Sequence, residues 1–237
     1  MNFFTRPSKC FLFDILESKL KSIESEIGLD AGSSNFKNRR WFKTKKYYGL
    51  DINLDSLKNG LAKYNPDPRA FGLCADVTKL KTLPANSVDL IVSTNTLYAL
   101  PPSDRLSAIQ QLADLTAPNG RFICEFSLKN DSNLIINLLK NKFDQIKIIY
   151  YKNIISYCYE KIFERQGFLG HHPIASSRPM RLFAWLLSRL EFISCHFKTG
   201  NQQIIIDCNH KKTPPNSKQN FDLSKFELIN SRIYQIH

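Results

Sequence analysis

Three carboxylates end or follow apolar stretches at regular intervals in the first third of the chain. Asp30 closes one short run, Asp51 closes the run that starts at Tyr47, and Asp76 follows a third. Apolar runs that end in a polar residue and a turn are typical of buried strands whose carboxyl ends face a ligand. A carboxylate at such a point accepts hydrogen bonds from the hydroxyl groups of a ribose. The spacing therefore predicts a nucleotide-type α/β site.

Small residues after Asp30 predict a tight turn against that ligand. Gly32 is followed by Ser33, Ser34 and Asn35. Glycine has no Cβ and lets the backbone approach a ligand, and serine and asparagine turn tightly and donate hydrogen bonds. An ordinary strand and turn without a ligand fits the same residues.

The hydrophobic periodicity predicts alternating strands and helices. This order is typical of an α/β fold with a Rossmann-like, doubly wound and mostly parallel sheet, here with a helical insertion before the last strand. We expect the first helix to pack against the sheet and Ser103 to cap the third. The predicted strands are 25–31, 46–52, 70–76, 88–94, 121–127, 145–151 and 202–208, and the predicted helices are 10–24, 54–64, 103–116, 132–142, 154–166 and 179–195.

Further motifs in order along residues 26–128 give the chain a recognisable pattern. Asn86-Ser87-Val88-Asp89 precedes an apolar strand, and Pro118-Asn119-Gly120 precedes the next. With the three carboxylates, this pattern resembles the class I S-adenosylmethionine-dependent methyltransferases of the broad small-molecule type. That family usually has G-x-G-x-G at the first turn, where this chain has Gly32 alone.

The resemblance implies S-adenosyl-L-methionine as the cofactor and assigns residues to it. Asp51 corresponds to the residue that binds the ribose and Asp76 to the one that binds the adenine amino group. Capping of the helix after Asn53 is the alternative for Asp51, and an unliganded loop carboxylate is the alternative for Asp76. The full set of expected cofactor residues is Asp30, Gly32, Ser33, Asp51, Ile52, Asp76, Val77 and Ser93.

The acceptor is predicted only as a class. The basic connection 36–42 and the apolar insertion 153–198 are similar to a subgroup found with glycan biosynthesis, which favours O-methylation of a small molecule or saccharide. We expect the insertion to cover the acceptor. An oxygen acceptor needs a general base, for which Tyr98, His171 and His172 are the candidates. A surface or structural role is the alternative for the two histidines. The absence of an Asn/Asp-Pro-Pro-Tyr/Phe sequence after the fourth strand disfavours adenine or glutamine as acceptor, and no metal site is expected.

Chain length, net charge and cysteine content limit the possible domain organisation, location and partners. The 237 residues predict a methyltransferase domain over 1–210 and a polar tail over 211–237, of which 221–236 is able to dock at a sheet edge. Six cysteines without a C-x-x-C pair, no signal peptide and no long apolar run favour a cytoplasmic protein. The net charge of +12 leaves an anionic substrate, nucleic acid or a peripheral membrane contact through 179–195 open. An RNA methyltransferase and a non-catalytic scaffold of the same fold remain alternatives, and the oligomeric state is not predicted.

Overall fold

A computed structural model of the chain describes residues 4–65, 67–164, 167–224, 227–228 and 233–236. It confirms the predicted α/β class and the mostly parallel sheet, which has the strand order β6-β7-β5-β4-β1-β2-β3-β9-β8. The pairs β1–β2, β1–β4, β2–β3, β3–β9 and β4–β5 are parallel, and β8–β9 is antiparallel. The strands are β1 (Glu24–Ala31), β2 (Lys43–Asp51), β3 (Ala70–Cys74), β4 (Val88–Ser93), β5 (Thr116–Ser127), β6 (Phe143–Tyr151), β7 (Gln203–Lys211), β8 (Glu227–Leu228) and β9 (Ile233–Gln235).

Helices alternate with the strands and then gather after β6. The helices are α1 (Pro7–Leu20), α2 (Leu54–Lys63), α3 (Pro102–Leu115), α4 (Ser132–Lys142), α5 (Ile154–Phe163), α6 (Arg178–Ser188) and α7 (Glu191–Ser194). The chain divides into two compact units. The sheet unit comprises Ile23–Lys147 with Ile206–His237, and the helical unit comprises Met1–Ser22 with Ile148–Ile205.

The sheet unit is built around β1, which lies between β2 and β4. Leu29, Leu90 and Ile91 are fully buried, as expected for parallel strands that are covered on both faces. The register pairs Asp30 with both Gly49 and Val92, so that the carboxyl ends of these strands meet at one edge. β1 is also the point where the strand order reverses, and open α/β sheets bind their ligands at such a point.

The connection from β1 to β2 is unusually compact for two parallel strands. Residues 32–42 form turns and one short 3-10 helix, Arg39–Trp41, instead of the long helical crossover that usually joins such strands. Arg39 is buried in this connection, where it donates to the carbonyl of Phe42 at 3.0 Å and pairs with Asp67.

The C-terminal segment docks at the sheet edge, within the range that the sequence allowed. β9 pairs in parallel with β3, and β8 pairs with β9. Aromatic side chains hold the segment: Tyr48 lies 4.8 Å from Phe221 and 5.1 Å from Phe71, measured between ring centroids. The polar residues from 211 onward are thus followed by two strands of the sheet.

The helical unit packs α1 against α5 and α6. Phe11 is fully buried and stacks on Tyr151 at 5.8 Å between centroids. Within this unit α1 therefore contacts the helices α5 and α6, and through Tyr151 it also contacts strand β6. Glu160 is buried too, where it accepts a hydrogen bond from the Ser8 amide and pairs with Lys152 at 2.9 Å.

Two local predictions about helices are wrong. The predicted helix 179–195 is divided into α6 and α7, and at the break the amides of Arg189 and Leu190 bond to carbonyls three residues back. Ser103 is not the cap of α3, since that helix begins at Pro102 and the Ser103 hydroxyl donates to Asp104. The end of the predicted helix 154–166 falls partly on residues 165–166, outside the described residues.

Candidate functional site

A cavity of about 470 Å³ opens at the carboxyl ends of β1, β2 and β3 in the sheet unit. Its volume is in the range of small-molecule and cofactor sites. Further polar lining residues are Ser34, Lys37, Asn95 and Thr96, which are outside the set of eight expected cofactor residues. Five of the eight expected cofactor residues line it: Gly32, Asp51, Ile52, Asp76 and Val77.

Glycine is required at position 32 because the first turn has no room for a Cβ atom and has a left-handed backbone there. Its φ is +77°, a conformation that favours glycine, and a Cβ would lie 1.8 Å from the Thr96 Oγ1 atom. The amides of Gly32 and Ser33 both donate to the carbonyl of Leu50, at 2.7 and 2.9 Å. The turn is thereby fastened to the end of β2.

The left-handed conformation recurs at two further residues of this turn. Ser34 has φ of +50° and Phe36 has φ of +58°. Positions 32, 34 and 36 therefore repeat the spacing of the three glycines in the G-x-G-x-G turn of the family. The backbone keeps a glycine-like path with side chains present, which costs roughly 1–2 kcal/mol at each non-glycine position.

Phe36 fits where it does because two other glycines make room for it. It is fully buried, and its ring stands edge-on to Tyr47 with centroids 5.1 Å apart. A Cβ on Gly49 would lie 2.2 Å from this ring, and one on Gly60 would lie 2.7 Å from it. Burial of the ring offsets the cost of its backbone conformation.

Asp51 joins the turn to the end of β2. Its Oδ2 accepts the Ser34 amide at 2.8 Å, and its Oδ1 accepts the Asn53 amide at 2.9 Å. The cap of α2 is Asn53, which accepts the Ser56 amide at 2.9 Å, so the capping role considered for Asp51 belongs to its neighbour. A carboxylate offers about four acceptor positions, which leaves Asp51 able to bind hydroxyl groups as well.

Asp76 lines the same cavity and lies just after β3. Both the amide and the hydroxyl of Thr78 donate to its Oδ1, at 2.9 and 2.8 Å. Val77 is buried beside it, and Ile52 exposes 73% of its surface at the cavity wall. This exposed apolar side chain, so near two carboxylates, is suited to packing against a planar ring.

Asp30 lies beneath the turn and is fully buried, outside the lining of the cavity. It accepts hydrogen bonds from Asn38 Nδ2 at 2.9 Å and from the Tyr47 hydroxyl at 2.8 Å. Burial raises the pKa of Asp30 from 3.8 to about 6, although both hydrogen bonds act in the opposite direction. Asn38 also donates to Thr94 at 3.1 Å, so this network ties the first turn to the end of β4.

Ser33 and Ser93 are likewise buried rather than at the cavity wall. Ser93 donates to the carbonyl of Ala31 at 3.0 Å, which joins β4 to β1. The structure thus places Asp30, Ser33 and Ser93 in the support of the site and the other five expected residues at its surface.

The segment after β4 forms the remaining wall and is held by two buried charged residues. Glu125 accepts the amide of Asn95, a residue with φ of +54°, at 2.8 Å. Arg105, fully buried in α3, donates to the carbonyls of Leu97 and Leu100 at 2.8 Å and pairs with Asp131 at 2.6 Å. Sequence reasoning missed both, because a charged residue within an apolar run or on a helix gives no signal of its distant partner.

The three catalytic candidates differ in their surroundings. Tyr98 belongs to the sheet unit, on a short 3-10 helix whose residue Ala99 lines the cavity, and it is 46% exposed. His171 and His172 are exposed in the helical unit, and His172 accepts the Ile174 amide at 3.3 Å as a cap. Among the described residues, no three His, Cys, Asp or Glu side chains cluster closely enough to hold a metal ion.

The basic run between residues 37 and 46 is partly neutralised by acids from other parts of the chain. Arg39 pairs with Asp67, and Lys45 pairs with Glu26 at 2.7 Å. Arg40 lies over the ring of Trp41, 4.2 Å from its centroid. In the part of the chain that is described, no helix combines the length and apolar character needed to cross a membrane.

The model of a known family matches part of the sheet unit. Residues 29–124 match the model of a family described as a methyltransferase domain. This range contains both carboxylates of the cavity and the whole turn. No curated protein matches the chain significantly.

Solved structures with the same fold share little sequence with the chain. The N-methyltransferase NodS from Bradyrhizobium japonicum, in complex with S-adenosylhomocysteine, is 13% identical with a TM-score of 0.55, over 84% of this chain and 87% of NodS. The [4+2]-cyclase SpnF is 13% identical with a TM-score of 0.54, over 84% and 80%. Phosphoethanolamine N-methyltransferase 2 from Haemonchus contortus is 15% identical with a TM-score of 0.52, over 88% of this chain and 54% of that one. These likenesses establish the fold, which one protein of the three uses for a different reaction.

Ser34→Gly should stabilise the fold, because glycine relieves the left-handed strain at this position. We expect the free energy of unfolding to rise by roughly 0.5–1 kcal/mol, after the greater entropy of glycine in the unfolded chain is subtracted. Chemical denaturation measures this change. Asn35→Gly is the matched control, since Asn35 is exposed in the same turn and is not left-handed, and it should lose stability. Equal losses in both variants would contradict a strained turn.

Asp30→Asn should alter the dependence of stability on pH. The folded protein keeps the Asp30 proton up to about pH 6, whereas the unfolded chain releases it near 3.8. The stability from this bound proton is full below pH 4 and is lost as pH rises through 6, by roughly 3 kcal/mol in total. Between about pH 4 and pH 6, the free energy of unfolding of the wild type should therefore fall relative to that of Asp30→Asn. Asp55→Asn, which changes an exposed carboxylate, is the control. A constant difference between wild type and Asp30→Asn would show that the carboxyl titrates normally.

Proposed function

We propose that this chain, which carries a methyltransferase domain over residues 29–124, is a class I S-adenosylmethionine-dependent methyltransferase that methylates an oxygen atom of a small-molecule or saccharide acceptor. S-Adenosyl-L-methionine is the cofactor. One observation carries the assignment of its site: Asp51 and Asp76 line a single cavity at the ends of adjacent strands.

The residues of this cavity fit the expected cofactor. Asp51 would bind the ribose hydroxyls, and Asp76, whose bonds from Thr78 both reach Oδ1, would accept the adenine amino group through Oδ2. Ile52 and Val77 would hold the base between apolar surfaces. Among the described residues, the Asn95 Nδ2 atom is buried without a hydrogen-bond partner, so an acceptor on the bound molecule would satisfy it.

The bound cofactor supplies an electrophilic methyl carbon, and the protein's part is to align and shelter the nucleophile. The left-handed turn at Gly32 brings the backbone to the edge of the cavity. Glu125 and Arg105 fix the opposite wall through Asn95 and Leu100. Fixed walls hold an acceptor in one orientation at little entropic cost during the reaction.

An oxygen acceptor is proposed from the sequence resemblance, and it requires removal of a proton. Tyr98 is our candidate for that step, since it belongs to the segment that forms one wall of the cavity. The charged residues that line the cofactor cavity are Lys37, Asp51 and Asp76. The role of segment 153–198 as a cover over the acceptor stays a prediction from the sequence.

RNA is the alternative acceptor that the charge suggests, and the arrangement of the sheet unit disfavours it. The basic residues Arg40, Lys43 and Arg69 line an open groove of about 760 Å³ at the amino ends of β1 and β2. Methyl transfer takes place at the carboxyl ends, on the opposite edge of the sheet. Nucleic acid held in the basic groove would thus lie away from the methyl group.

Asp51→Ala should weaken binding of S-adenosylhomocysteine, the cofactor product, measured by calorimetric titration. Loss of charge-assisted hydrogen bonds predicts a cost of roughly 1–3 kcal/mol, or about 5- to 150-fold in Kd. Asp51→Asn keeps the shape of the side chain and should lose part of this affinity. Asp55→Ala removes a nearby exposed carboxylate in α2 and should bind as wild type does.

Thermal melts of all three variants separate lost contacts from lost folding. Unchanged affinity in a folded Asp51→Ala protein would remove this residue from the site. Absence of binding by the wild type would favour the scaffold alternative. RNA would be favoured over a small molecule if the wild type binds the product and also methylates a synthetic oligoribonucleotide, and if high salt suppresses this methylation.

A further inference from the structure

We propose that the outer face of the helical unit docks on an anionic membrane surface. The face is formed by α6, α7 and the residues just after α7, and we call it the α6–α7 face. Its apolar members are Leu182, Phe183, Leu186, Ile193 and Phe197.

These apolar side chains are exposed to an unusual degree. Leu182, Phe183 and Leu186 expose 48%, 47% and 51% of their surfaces, and Ile193 and Phe197 expose more. Leu182 and Leu186 are one turn apart on α6, and Phe183 lies next to them on the same side. The opposite side of α6 is buried through Ala184 and Ser188. The helix thus has one apolar side inside its unit and a second apolar side facing outward.

Arginines border the outward side. On a helical wheel, Arg178 and Arg189 stand beside Leu182, and Arg181 stands further along the same border. Arg189 lies over the Trp185 ring, 4.8 Å from its centroid, and pairs with Asp14. Arg178 and Arg181 are exposed, and no ion pair between described residues includes either of them.

Each described acidic residue of the helical unit forms an ion pair or a hydrogen bond with another residue of the same unit. Its described residues hold ten lysines and arginines against five acidic residues. Glu191 is fully buried and accepts the Asn153 amide at 3.1 Å, and Glu160 is buried against Lys152. The remaining acids pair with Arg6, Lys21 and Arg189. The exposed charge of the unit is therefore positive.

An apolar face with arginine at its border complements one partner above others. An amphipathic helix with Leu, Phe and Trp beside basic residues lies in the plane of a membrane interface, attracted by anionic headgroups. A second copy of the chain is a poorer partner, because a two-fold contact through this face would set arginines against arginines. An acidic lipid surface satisfies both the apolar and the basic residues.

Vesicle flotation with the full chain tests the proposal. We expect the protein to float with vesicles of equimolar phosphatidylcholine and phosphatidylserine, less so at high salt, and to stay behind with phosphatidylcholine alone. Leu182→Asp with Leu186→Asp should reduce binding by about tenfold or more, and Arg178→Glu with Arg181→Glu should reduce it on the same order.

Controls come from exposed residues of the sheet unit. Leu134→Asp changes a leucine that is 56% exposed on α4, and Lys58→Glu with Lys81→Glu reverses two exposed lysines. These variants should bind the vesicles almost as wild type does. Circular dichroism verifies the fold of each variant, and titration with S-adenosylhomocysteine shows that the cofactor site is unchanged.

Three results would overturn the proposal. The first is the absence of wild-type binding to the phosphatidylserine vesicles. The second is equal loss of binding in the face variants and in the sheet-unit controls, which would indicate only a general effect of charge. The third is a wild-type dimer in solution that Leu182→Asp with Leu186→Asp converts to a monomer, which would assign the face to a second copy.

Discussion

The site depends on one constraint, a turn after β1 that must follow a left-handed path at every second residue. Only Gly32 meets this demand with glycine, whereas Ser34 and Phe36 meet it with side chains. The path is held because the Gly32 and Ser33 amides donate to Leu50 and the Ser34 amide donates to Asp51. The turn, the end of β2 and the ribose candidate are thus one hydrogen-bonded piece. A change in any of them should be felt by the others.

Burial of Phe36 explains how a glycine-poor turn is tolerated. Its ring occupies the space above Gly49 in β2 and Gly60 in α2. Because these two glycines have no side chain, they leave room for the Phe36 ring. The strain of the turn is offset by packing that lies away from the ligand, as is common at functional sites.

Buried polar groups support the cavity from behind and explain its shape. Asp30 with Asn38 joins β1, the turn and the end of β4. Glu125 and Arg105 secure the segment after β4. A half-completed network of this kind is costly in a low-dielectric interior, so each partner is needed for the next. The cavity surface is consequently set by residues that a ligand does not touch.

The sequence was sufficient for the strands, their order in the chain and the two cavity carboxylates, because these follow from local periodicity and spacing. It could not separate Asp30, which is buried, from Asp51, which lines the cavity, since both end an apolar run. The left-handed backbone at Ser34 and Phe36 was not predicted, because neither residue type favours this conformation. The break between α6 and α7 falls in a run whose residue types are otherwise typical of one helix, so the sequence did not predict it. Distant partners such as Arg105 and Asp131 are visible only in the folded chain.

The most direct test is to map S-adenosylhomocysteine onto the backbone by nuclear magnetic resonance. Titration of isotope-labelled protein should shift the amides of Gly32, Ser34, Asn53, Val77 and Asn95, which surround the cavity between Asp51 and Asp76. A second cavity, about 510 Å³ in volume, lies beside α3 and is lined by Leu83, Ser103 and Gln110. Shifts confined to those residues, with the turn and the ends of β2 and β3 unchanged, would contradict the central claim.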